Sequence, residues 1–193
     1  MKATHKFLKQ AVFGAGLVAL VTPAIATAAP TQVAQEPQTS LQTFSSSKLG
    51  FRIAFPSSFT IDRTTEAQGT VRLTPAQGGA EQAAQSGQPA QKNETGILIS
   101  TFANPNGLSA EQWAQQNDAQ SFFSGRQSEI RSSRFAGQPA IAYSWCATDC
   151  GDSVVFPSRD GKRIVVLSAV YEYPGDPIRW QFQSIAGKFQ FAK

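Results

Sequence analysis

One histidine and two cysteines limit the chemistry this chain can perform. The histidine, His5, lies among Lys2, Lys6 and Lys9, ahead of the apolar run AVFGAGLVALV and the small-residue stretch TPAIATAA. A basic start, an apolar core and small residues, in that order, form a secretory signal peptide. It is assigned to residues 1–28, with Ala26, Ala28 and Ala29 as alternative cleavage points. Its removal leaves a chain without imidazole. Ser-His-Asp and Cys-His nucleophile systems go with it, as do His-ligated metal sites. No catalytic residue, metal ligand or cofactor is assigned, and the protein is expected not to be an enzyme.

Cys146 and Cys150 flank Ala147-Thr148-Asp149, a three-residue connection between two expected strands. In an exported protein such a pair is expected to form an intramolecular disulfide, because opposed strand positions come within bridging distance. The spacing is not Cys-x-x-Cys, which speaks against a redox-active pair. Gly151-Asp152-Ser153-Val154 matches a short block found in some esterases, but the histidine base is missing, so it reads as a turn leading into a strand. Asp149, Asp152 and Asp160 have no recognisable calcium-loop spacing and read as solvated turn residues.

Two features are candidates for partner binding. Arg159, Lys162 and Arg163 crowd the turn at Asp160-Gly161. A basic tip can dock on an acidic partner or an anionic lipid surface. It can equally be a solvated turn that discourages edge pairing, and both readings stay open. Trp180 falls off the apolar stripe of its expected helix, which makes it an exposed candidate anchor.

The net charge of +4 does not point to nucleic acid. Without the three leader lysines, 14 basic residues face 13 acidic ones. The apolar stretch from Ala11 to Val21 is short for a membrane span. The roughly 165 residues beyond the signal peptide suffice for one domain with its own core. Residues 29–47 are Gln-, Thr- and Ser-rich and read as a flexible polar leader, with ordered structure starting near Leu49. A single domain is expected over 48–193, with an exposed loop at 76–94 that is rich in Gly, Gln and Ala.

The elements that must position these residues are set by periodicity. FRIAF alternates Phe51, Ile53 and Phe55 with Arg52 and Ala54, the pattern of a half-buried strand. FTIDR, GTVRLTP and GILISTFA read as further strands. Ser109 with Gln112 forms a capping-box pattern, and Leu108 with Trp113 sits at staple positions, so a helix is expected from Ala110 to about Gln120. SEIRSSRFA reads as a polar edge strand. PAIAYSWC places Ile141, Tyr143 and Trp145 on one face and only small residues on the other. Asp160-Gly161 between two apolar runs signals a hairpin. KRIVVLSAVYE is apolar on both faces and therefore central. Asp176-Pro177 opens a last helix with Ile178, Phe182 and Ile185 on one side, and KFQFAK ends the chain extended. Consecutive strands joined by tight turns give an antiparallel sheet in an α+β fold, with helices packed on it.

GFRIAFPSSF at 50–59, NPNGLSAEQW at 104–113 and the block DGKRIVVLSAVYEYPGDPIRWQFQSIAGKFQF at 160–191 together resemble the PsbP-like family, named for the extrinsic lumenal protein of photosystem II. The resemblance implies an antiparallel sheet with helices on both faces. It also implies a non-catalytic accessory role in which the protein binds or stabilises a membrane-associated complex, photosystem II among the candidates. The location implied is the periplasm or the thylakoid lumen, and a monomer is expected. A periplasmic small-ligand or ion-binding module is the alternative. The metal binding through histidines and carboxylates that the resemblance implies for some members does not transfer to a mature chain that lacks the histidines. The loop at 76–94 and the CATDC segment depart from the family pattern.

Overall fold

The computed structural model describes residues 40–76 and 95–192. The signal peptide, the first part of the polar leader and nearly all of the 76–94 loop lie outside the described residues.

Within the described residues, ten strands form two antiparallel sheets. The strands are β1 Leu41–Ser46, β2 Phe51–Pro56, β3 Phe59–Asp62, β4 Thr70–Pro75, β5 Gly96–Ala103, β6 Arg131–Phe135, β7 Gln138–Cys146, β8 Cys150–Pro157, β9 Arg163–Tyr171 and β10 Phe189–Phe191. The helices are α1 Ala110–Gln116, the single turn α2 Asp118–Ser121, and α3 Ile178–Ala186. Seven strands lie in the order β3-β4-β5-β9-β8-β7-β6, and β1-β2-β10 make a second sheet. The α+β reading with helices on both faces of the main sheet holds.

β9 occupies the middle of the seven strands, as its two apolar faces require. Val165, Leu167, Ala169 and Tyr171 enter the larger core, which the small sheet and α3 close. Ile164 and Val166 enter a second core on the opposite face, where Trp113 and Ala114 of α1 meet Ile141, Tyr143 and Trp145 of β7. β6, with its exposed arginines and serines, lies at the edge as its polarity predicts.

Three expectations need correction. The leader does not extend to residue 47: Leu41–Ser46 is a strand paired along its whole length with β2. Its sequence hides this, because Phe44 is its one large buried side chain and the stability comes from backbone pairing. The helix expected to reach Gln120 breaks at Asn117, whose side-chain amide donates to the Trp113 carbonyl (2.8 Å) and ends α1. Gly151 to Val154 lie inside β8, which already begins at Cys150, so this block is not a turn.

Candidate functional site

Cys146 and Cys150 sit directly opposite one another in the β7–β8 pairing and are disulfide-bonded, closing that hairpin. Just inside the staple, Asp152 is half-buried and not solvated as its aspartate character predicted. It accepts from Ser144 Oγ (2.5 Å) and Tyr171 Oη (3.2 Å). Arg179 of α3 donates to it twice, through Nε at 2.7 Å and an Nη at 3.1 Å. The same guanidinium lies over the Tyr171 ring, 4.7 Å from its centre. Burial, reinforced by the Asp152 charge, pushes the Tyr171 phenol up to about 12. Ser153 is buried and shares its hydroxyl between Trp145 Nε1 (2.8 Å) and Ser168 Oγ (2.7 Å). These partners bind helix to sheet and strand to strand; none supplies the base that a serine nucleophile needs.

The candidate partner-binding residues separate into two places. Arg159, Lys162 and Arg163 belong to the β8–β9 hairpin, whereas Trp180 stands on α3, 70% exposed. Its neighbour Arg179 is anchored on Asp152, which pairs with Ala169, six residues beyond Arg163 in β9. At about 3.3 Å per residue that separation is roughly 20 Å.

The hairpin end gathers more than the hairpin. Asn104, at the exit of β5, is buried and ties it down: its amide Nδ2 donates to the Gly161 carbonyl and to the Leu108 carbonyl, each at 3.0 Å. The turns between β1 and β2 and between β3 and β4 reach the same end, bringing Lys48, Arg63 and Glu66. Of the predicted basic trio, two members are engaged. Arg163 donates to the Lys48 carbonyl (3.0 Å) across the β1–β2 turn. Arg159 lies over the Phe191 ring, 5.6 Å from its centre. Lys162 is exposed. Asp160 is taken up locally by Ser158 Oγ (2.6 Å) and the Lys162 amide (3.1 Å), and the Ser158 hydrogen bond is the main reason its carboxyl lies below the ordinary range.

Between these turns opens a cleft of about 250 Å³. Lys48 and Leu49 form one wall, Ala67, Gln68 and Gly69 another, and Thr101, Ala103 and Arg163 the floor and far rim. Side-chain alternation explains the floor. Ile97 and Ile99 of β5 and Val165 of β9 fill the larger core, so Thr101, Ala103 and Arg163 continue that face to its open end. Gly69 keeps the wall thin: at φ +97° it tolerates no side chain easily, and a Cβ there would lie 2.7 Å from the Thr101 carbonyl oxygen. Lys48 Nζ reaches the Ala67 carbonyl at 3.2 Å. Ser46 Oγ (2.6 Å) and Arg63 Nε (2.7 Å) donate to the Glu66 carboxylate and lower its pKa, Ser46 foremost, so Glu66 stays ionised with Arg63 as its counter-ion. Sequence reading missed the cleft because its parts lie in four separate segments.

Among the described residues, no group of three or more His, Cys, Asp or Glu side chains is placed to hold a metal ion, and no helix is long and apolar enough to cross a membrane.

No family model matches the chain, and no curated protein does. Solved structures give low-level likenesses. PsbP from the cyanobacterium Synechocystis sp. PCC 6803 is similar at 14% identity and a TM-score of 0.49, over 79% of this chain and 93% of that one. The Ran-binding protein Mog1p of Saccharomyces cerevisiae is similar at 9% identity and a TM-score of 0.48, over 80% and 97% of the two chains. A Bacteroides thetaiotaomicron protein is similar at 12% identity and a TM-score of 0.46, and this chain spans 48% of its length. A PsbP structure thus stands among the similar folds, while membership of the PsbP-like family is not shown. The fold class rests on the strands and helices described above.

Proposed function

We propose that this is an exported, non-catalytic accessory protein that docks on a membrane-associated protein complex through the basic end of its main sheet. The observation that carries the reading is the convergence of three turns at one end of the main sheet, which brings Lys48, Arg159, Lys162 and Arg163 to that end, Lys48 and Arg163 lining the cleft. Asp160 and Glu66 at this end are spent on local partners. A positive surface of this kind steers and orients an acidic partner. Export is supported by the leader sequence at 1–28. The absence of catalysis is supported by Ser153 and Asp152, whose hydrogen bonds serve the fold. The sequence resemblance names photosystem II as the first complex to try.

The test places a photo-crosslinking residue at position 162 or, as a control at the opposite end, at 149, and irradiates native membranes. Subunits of one membrane complex captured from 162 and not from 149, and lost when Lys48→Glu and Arg159→Glu are combined in the protein that carries the crosslinking residue, support the reading. Equal capture from both ends, or capture unaffected by the charge reversal, overturns it.

A further inference from the structure

Among the described residues the two sheets leave four edge strands, and three of them are blunted. β6 carries Arg131 and Arg134, β3 is four residues long and ends at Asp62 beside Arg63, and β10 has three residues. Charge and shortness keep an edge from pairing with another chain. β1 has neither protection. Leu41–Ser46 reads LQTFSS, six residues without charge or proline, and its register with β2 runs without a bulge. The direction of its main-chain groups is fixed. The Ser57 amide donates to the Ser40 carbonyl (2.8 Å), so Ser40, Gln42, Phe44 and Ser46 turn theirs toward β2. Across β2, the Ala192 amide donates to the Gly50 carbonyl (2.9 Å), which turns Gly50 and Arg52 toward β10 and leaves Phe51, Ile53 and Phe55 for β1, in agreement. Leu41, Thr43 and Ser45 therefore aim their N–H and C=O groups away from the sheet. All three residues are exposed, Leu41 at 56%, and no described residue pairs with those groups.

We propose that β1 pairs antiparallel with β1 of a second copy of this chain, joining the two small sheets into one across a twofold axis. Only outward residues can exchange hydrogen bonds across the new seam, and a twofold axis requires the pairing to read the same from either strand. One register meets both conditions with all three outward residues: Thr43 opposite Thr43, and Leu41 opposite Ser45 in both directions. It sets no like charges against each other and puts a threonine pair, a favourable cross-strand neighbour, on the axis. Leu41 gains cover from the second strand. β6 paired with itself would instead gather Arg131 and Arg134 of both copies at one seam. An unrelated strand would need a matching pattern of its own, whereas a second copy carries it already. Because the paired strands run in opposite directions, the Lys48 ends of the two copies point apart, and both basic ends stay open for docking. A dimer then replaces the monomer expected from the sequence.

Mature protein is followed by sedimentation velocity from millimolar to micromolar concentration, with amide hydrogen exchange measured at both ends of the series. A dimer is expected in concentrated solution, with the Leu41, Thr43 and Ser45 amides protected there and exchanging freely after dilution. Thr43→Lys sets two ammonium groups against each other on the axis and should raise the dissociation constant on the order of tenfold or more. Thr43 is exposed, so the melting temperature of the dilute variant should barely change, and lost pairing cannot be laid to lost folding. Thr43→Cys should be joined to its own copy by a short bis-maleimide far faster than Ser133→Cys on β6. A monomer throughout the series, a dimer indifferent to Thr43→Lys, or equal joining of the two cysteine variants overturns the proposal. Protection of the three amides in a sedimenting monomer assigns the edge to another segment of the same chain and likewise overturns it.

Discussion

Arg179 and Asp152 join the last helix to the centre of the main sheet through two hydrogen bonds to one carboxylate, at 2.7 and 3.1 Å. The pair is mostly shielded, with side-chain exposures of 32% and 21%. It holds α3 against β8, while Arg179 also donates to the Pro174 carbonyl (2.7 Å) in the loop before the helix.

Removing one partner leaves the other charge half-buried. Asp152→Ala and Arg179→Met should each lower stability by about 2 kcal/mol, the scale for hydrogen bonds to charged groups. Urea unfolding of both singles and the double variant checks this. The double should lose less than the sum, by roughly 1 kcal/mol, as contacting residues do. Strict additivity would show that the pair contributes nothing as a pair.

Gly151 carries the cross-strand packing of Trp145. An added Cβ would press into the indole ring and lie 2.8 Å from the Ala169 carbonyl oxygen. Neither can retreat, since Trp145 is also stacked by Phe122 at 4.2 Å and fixed by Ser153. Gly151→Ala should therefore cost about 1–3 kcal/mol by overpacking. Thermal and chemical unfolding give the value, and a neutral result would mean that the β7–β8 hairpin yields more freely than this contact allows.

Burial pushes the phenol of Tyr143 up to about 12, against its ordinary 10.0, and Tyr171 rises equally for the same leading reason. Both are raised in the folded state, so the stability linked to them is complete below pH 10 and drains away as pH climbs toward 12. In a Tyr173→Phe variant these two are the remaining tyrosines, and the folded protein's phenolate absorbance should appear only near pH 12. A folded-state titration centred on 10 would contradict this.

Much of the fold could be read from the sequence, and the reasons it could are local. The capping box of Ser109 and Gln112 is present in both directions, at 3.0 and 3.2 Å. The alternation along KRIVVLSAVYE placed β9 at the centre, because a strand apolar on both faces has no other home. Asp176 starts α3 as expected, accepting from the Ile178 amide at 2.9 Å. What escaped was non-local. β1 has too few apolar residues to declare itself, since its stability is lent by β2. Asp152 reads as a turn residue until α3 brings Arg179 across to meet it. The cleft has no signature at all: Lys48, Gly69, Thr101 and Arg163 are ordinary residues until three turns place them together. The basic hairpin was visible as charge, but the engagement of Arg163 with Lys48 and of Arg159 with Phe191 depends on segments more than a hundred and about thirty positions away.

The small sheet couples the two ends of the domain in time as well as in space. β2 lies between β1, which precedes it, and β10, which follows all the other described elements; Phe189 pairs with Ile53 and Phe191 with Phe51, and Arg52 donates to Gln190 across the same seam. Contacts of such long sequence separation form late, after the costly closure of the intervening chain. The Ala192 amide then donates to the Gly50 carbonyl (2.9 Å), one residue from the cleft wall at Leu49. On the exported route proposed above, a chain still threading through its channel lacks the clamp behind that wall until residues 189–192 have emerged, and its binding face matures only on the far side of the membrane.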